Sequence, residues 1–180
     1  MVISDKVYTP DEFLAYQAEH DEQLLELRYG RISEKVTSEK HGYIVINIGS
    51  ALKLWLRQSD LTGFYSTEAS VKIDDENIRR PDVSFRFTDG DVSEAITLSE
   101  MPAFLVEVVS PSNSLSHLRE KARFYIEHGA KLVWVVYPAK QIVDVYTADG
   151  DVDVFTAEDT LSSGDVLPAF EMTVQALFEI

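Results

Sequence analysis

The 180-residue chain carries 16 basic and 31 acidic side chains, a formal net charge of −15, with 45% hydrophobic residues and no cysteine. These proportions exclude a disordered, collagen-like or coiled-coil chain, and the missing cysteine excludes disulfides, zinc–thiolate sites, iron–sulfur clusters and thiol nucleophiles. No apolar run approaches the ~20 residues of a membrane span and the N-terminus has no signal-peptide core, so a soluble cytoplasmic protein of one domain, residues 1–180, is expected.

Thr9-Pro10-Asp11-Glu12 reads as a helix start, with Thr9 as cap, Pro10 at the first helical position and Glu12 closing a capping box. A short helix to about His20 follows. Residues 24–36 are two apolar-rich runs around Tyr29-Gly30, the pattern of a β-hairpin. Residues 39–58 form the longest periodic segment: Ile44, Ile48, Leu52 and Trp55 recur at helical spacing behind the candidate cap Ser38. Short strands are predicted at 64–67 and 70–74, a turn at Asp74-Asp75-Glu76-Asn77, and an alternating strand at 82–87. Residues 104–109 and 132–138 are apolar runs of buried-strand type. They flank a helix over 114–128 that stops at Gly129. Strand, helix, strand in this order predicts a parallel, right-handed crossover. Two further strands, 142–147 and 152–156, and a short helix near 173–178 complete an α/β chain with a mixed sheet.

Several residues stand out chemically. Glu107 lies among Phe104, Leu105, Val106, Val108 and Val109, where a lone carboxylate is costly to bury and needs a cation, a metal or a proton; the wet face of an edge strand is the plainer explanation. Asp82 follows Pro81 at a strand start, and Pro-Asp alone is a turn signal. Together, two carboxylates on adjacent strands can hold Mg²⁺, which prefers oxygen ligands and can activate water and stabilise a phosphate. Lys121 borders the core face formed by Leu115, Leu118, Ala122 and Tyr125; a snorkelling lysine would look the same. His41 opens the long helix, as surface or capping histidines do. Glu26, between Leu25 and Leu27, is expected on a solvated strand face, and Arg79-Arg80 as a solubilising pair rather than a phosphate clamp.

Taken in order, Pro81-Asp82, Glu107-Val108-Val109-Ser110-Pro111-Ser112, Lys121 and Tyr125 resemble the Uma-two family, within the PD-(D/E)XK nuclease superfamily. Glu26 and Gly30 match an early block of that family, and His41 the histidine opening its long helix. Gly129, Trp134 and Pro138 match a later block. Leu167-Pro168 and Phe170 match the closing one, with Ala169 replacing its glycine. The resemblance implies a restriction-endonuclease-like fold, a central mixed sheet flanked by helices with an N-terminal helix and hairpin. It also implies Mg²⁺- or Mn²⁺-dependent hydrolysis of nucleic acid, DNA rather than RNA. Asp82 and Glu107 would be metal ligands, Lys121 the catalytic lysine, and Glu26 and His41 accessory residues; a homodimer is expected, so that two sites address two strands. Two departures accompany it. Val109 stands where the superfamily's E-x-K element has lysine, and His117 stands where an acid often precedes the helix lysine. The missing lysine at Val109, with the low basic content, keeps open a second class, a nuclease-fold binding or assembly module of little activity.

The charge is uneven: residues 141–180 hold nine acids and no Lys or Arg, so most of the negative charge lies beyond every candidate site residue. The rest of the chain is mildly acidic and does not exclude a phosphate-bearing substrate. Weak, salt-sensitive nucleic-acid binding is expected without metal.

Overall fold

The computed structural model describes residues 6–89, 97–110 and 115–179. The chain begins with helix α1 (Pro10–Ala18), hairpin strands β1 (Leu25–Arg28) and β2 (Arg31–Glu34), and helix α2 (Glu39–Gln58). Strands β3 (Gly63–Thr67), β4 (Ser70–Lys72), β5 (Ile78–Arg79), β6 (Val83–Phe87), β7 (Thr97–Leu98) and β8 (Phe104–Val108) follow. Helix α3 (Leu115–Glu127) leads to β9 (Leu132–Tyr137), β10 (Ile142–Thr147), β11 (Val152–Phe155), β12 (Thr160–Ser162) and β13 (Glu171–Thr173).

The expected local signals operate. Thr9 and Glu12 form a reciprocal capping box on α1, and Ser38 caps α2 through the His41 amide. Tyr29 and Gly30 both take positive φ, 47° and 70°, the backbone that a tight hairpin turn needs. A side chain at Gly30 would also collide with Val7.

A six-stranded sheet in the order β11-β10-β9-β8-β6-β3 carries the core. β8 and β9 pair in parallel across α3, as the strand–helix–strand pattern predicts, and the sheet's other pairs are antiparallel. Alternation sorts the two faces. Phe104, Val106 and Val108 of β8, with Trp134 and Val136 of β9, pack with Ile44, Ile48 and Leu52 of α2. Leu105, Val133 and Val135 pack on the opposite face with Leu118, Ala122 and Tyr125 of α3. Truncating one of these fully buried aliphatic side chains to Ala costs roughly 2–5 kcal/mol. Glu107 follows the parity of Leu105 and so faces α3. A second sheet, β2-β1-β5-β4-β7, packs β1, β2 and β5 against Phe13 of α1.

Three expectations change. The terminal segment is not an α-helix: Glu171–Thr173 pairs with Thr160–Ser162, and only a 3₁₀ turn, Gln175–Leu177, remains. Glu26 is not on a solvated face, and Arg79 is not a surface residue: both are buried, the guanidinium lying over the rings of Tyr29 and Phe124. The expected break at Pro111–Asn113 and the side chain of Leu115 lie outside the described residues. Among the described residues no helix is long and apolar enough to cross a membrane.

Candidate active site

Strand register brings three acids to one end of the main sheet. Thr67 of β3 pairs with Val83 of β6, and Val83 pairs with Val106 of β8. The next positions along the three strands are Glu68, Asp82 and Glu107. Backbone bonds continue the alignment: Glu68 N–H donates to Asp82 C=O, and Asp82 N–H to Val106 C=O. Glu68 takes φ 56°, a left-handed conformation costly for a residue that carries a Cβ, and thereby ends β3. Helix α2 delivers His41 from its first turn, and α3 delivers Lys121 and Tyr125. The second sheet delivers Glu26 from β1.

These side chains form two clusters, each bridged by a lysine. In the first, Lys121 Nζ lies 2.6 Å from Glu26 Oε1 and 2.8 Å from Glu107 Oε1. Tyr125 donates its hydroxyl to the same Glu107 oxygen at 3.0 Å, and the Arg80 amide donates to Glu26 Oε1 at 2.7 Å. In the second, Lys35 Nζ contacts Asp82 Oδ1, lies 2.7 Å from Glu68 Oε2 and donates to the Arg80 carbonyl at 2.9 Å. His41 Nε2 stands 2.8 Å from Asp82 Oδ1. The other Asp82 oxygen accepts the Val108 amide, which locks the carboxylate to β8.

Burial and charge act in opposite directions here. Burial favours the protonated acid at Glu26, but Lys121, Arg79 and Lys35 outweigh it and lower its pKa to about 2. Asp82 is buried too, yet Lys35 and His41 hold it well below the usual carboxylate range. At Glu107 burial wins over Lys121, with Asp82 adding repulsion, and the pKa rises to about 7. Burial likewise raises Glu68. Lys35 rises despite burial because Asp82, Glu107, Glu68 and Glu26 surround it.

The arrangement offers a cation a place. One ligand atom each from His41, Glu68 and Asp82 lies within 4.8 Å of the others. Asp82 Oδ1 and His41 Nε2 are buried and complete no well-aligned hydrogen bond. Two carboxylate oxygens and an imidazole nitrogen are a donor set that divalent ions accept.

All five residues singled out from sequence, Glu26, His41, Asp82, Glu107 and Lys121, therefore lie at this end of the main sheet. Glu107 is tied to Lys121 and Tyr125 and stands outside the three-donor group. Lys35 and Glu68 were not expected. Lys35 follows Ser33-Glu34 in a polar stretch, and Glu68 sits in a turn-like Ser66-Thr67-Glu68 run; neither carries a signal separable from a solvated loop. His117 approaches Arg28 Nη1 at 3.5 Å. Burial, with Arg28 and Lys121 nearby, lowers its pKa to about 4, so a neutral imidazole occupies the position where an acid was anticipated.

The fold matches the crystal structure of a protein from Anabaena variabilis, described as a putative nuclease of the DUF820 group, with a TM-score of 0.80 and 20% identity over 94% of this chain and 97% of that one. At that identity the likeness establishes a shared fold, restriction-endonuclease-like in type. No curated protein matches the chain closely enough to count as a relative. Residues 10–175, which span every side chain of both clusters, match the model of the Uma2 family, described as "Putative restriction endonuclease", and the chain belongs to that family.

Proposed function

We propose that this protein is a divalent-metal-dependent endonuclease that hydrolyses phosphodiester bonds, with DNA as substrate. The observation that carries the reading is the meeting of Asp82, Glu107 and Lys121, remote in sequence, at one end of the main sheet with Glu26 and His41 beside them. Asp82, Glu68 and His41, with Glu107 on the neighbouring strand, would hold Mg²⁺ or Mn²⁺. The bound ion supplies Lewis-acid stabilisation of the phosphate and lowers the pKa of a water.

The remaining work falls to the chain. Asp82 stays ionised and is fixed by the Val108 amide, so its other oxygen, which faces Lys35 and His41, keeps one direction. Glu26 also stays ionised and, with Glu107, holds the Lys121 ammonium in place. That ammonium stabilises the charge gained by the phosphate during attack, or orients the attacking water, in place of the lysine missing at Val109. Tyr125 and the Arg80 amide complete the hydrogen bonds of the two glutamates, which preorganises the site. In a homodimer, two such sites would address opposite strands.

The test is cleavage of plasmid and of single-stranded DNA and RNA with Mg²⁺, Mn²⁺ or EDTA. Metal-dependent DNA cleavage lost in Asp82→Ala and Glu107→Ala supports the reading; cleavage that survives both substitutions, or none at all, contradicts it. One observation favours a second reading, a catalytically weak binding or assembly module. Lys35 already bridges Asp82 and Glu68 without a metal. That reading predicts no metal-dependent change in thermal stability.

A further inference from the structure

The two bridging lysines are not equivalent. Lys121 is sealed in, its side chain only 4% exposed, whereas Lys35 is 13% exposed and its partner Glu68 24%. The backbone of Lys35 is pinned, its amide donating to the Leu24 carbonyl at 2.8 Å. Its four-carbon stem remains flexible. The ammonium can therefore swing away while the Lys35 backbone stays in place. It also touches Asp82 and Glu68, two of the three residues whose ligand atoms converge. A second cation on those oxygens would stand within a few ångströms of the first, and like charges at that range repel strongly.

We propose that Lys35 is a built-in counter-cation of the metal site: its ammonium occupies the Asp82 and Glu68 oxygens in the metal-free chain, and a divalent ion binds only by displacing it. The proposal rests on the metal-dependent reading above. It adds that Lys35 weakens metal affinity while keeping the two acids paired until an ion arrives. The enzyme would then respond to the free concentration of divalent metal instead of retaining a resident ion. Removing the positive charge should tighten binding; retaining it should not.

The experiment is calorimetric titration of the full chain with MnCl₂. Lys35→Met is expected to bind Mn²⁺ at least tenfold more tightly than the unaltered protein. Lys35→Arg, which keeps the charge, should stay within about twofold of the unaltered protein, and adding Asp82→Asn to Lys35→Met should abolish the gain. If Lys35→Met does not fold, Lys35→Gln, which retains a donor for the Arg80 carbonyl, serves in its place with the same expectation. Equal, Asp82-dependent affinity in the unaltered protein and Lys35→Met overturns the counter-cation role while leaving the metal site intact. Tightening by Lys35→Arg as well overturns it, because charge would not be the cause. Absence of Mn²⁺ binding in every variant overturns the metal site and this proposal with it.

Discussion

The Lys121 cluster and the Lys35 cluster use the same parts, an ammonium between two carboxylates, to different ends. Around Lys121 the side chains of Glu26 and Glu107 are nearly sealed, and Tyr125 and the Arg80 amide add hydrogen bonds. Around Lys35 the rim is open through Glu68, while Asp82 Oδ1 and His41 Nε2 complete no aligned hydrogen bond. A sealed, satisfied ion pair is costly to break because its partner is left as a buried charge. A pair at a partly open rim loses less on its exposed side, where water can reach the freed Glu68. The first cluster is therefore built as a rigid positioning device, and the second, under the metal-binding role proposed above, is where one cation would exchange for another.

The largest effect should come from breaking the sealed cluster. Lys121→Met strands Glu26 and Glu107 and is expected to destabilise the metal-free protein by about 3–5 kcal/mol in urea unfolding at neutral pH. Lys35→Met should cost less, about 1–2 kcal/mol by the same measurement, because water reaches Glu68 and His41 stays beside the buried Asp82. Equal costs would erase the distinction between the clusters.

The pH dependence divides along the same line. Glu107 rises from 4.5 to about 7 on folding. Between those values the folded chain holds a proton the unfolded chain has released, so stability falls as pH rises through that window and then levels. Glu107→Gln should flatten that fall, measured as unfolding midpoints from pH 4.5 to 8. Glu26, lowered to about 2, contributes in the opposite sense: its stabilisation is present above 4.5 and is lost as pH falls toward 2. The smallest effect belongs to Tyr125→Phe, which removes one hydrogen bond to Glu107 and should cost about 1 kcal/mol. An unchanged stability there would mean that Glu107 is already satisfied without the phenol.

How far these clusters could be read from the chain alone follows from which interactions are local. Helix α2 was legible because Ile44, Ile48 and Leu52 repeat at its period, and the parallel crossover because two apolar runs flank an amphipathic helix. Glu107 announced itself by the cost of its apolar surroundings, and Asp82 and Lys121 by their place in an ordered set of family motifs. Glu26 looked solvated because its burial depends on a second sheet, and β5 and β7 of that sheet have two residues each, too few to show a period. Glu68 joins Asp82 only through the pairing of Thr67 with Val83. Lys35 reaches Asp82 across nearly fifty residues of sequence. Such contacts come from strand register, which no short window contains.

A crystal of the full protein grown with MnCl₂, examined for anomalous scattering, tests the central distinction most directly. A manganese peak bonded to Asp82 on the Lys35 side is expected, with the Lys35 ammonium withdrawn and Lys121 still between Glu26 and Glu107. A peak between Glu26 and Glu107 with Lys121 displaced, or no peak at millimolar Mn²⁺, would contradict it.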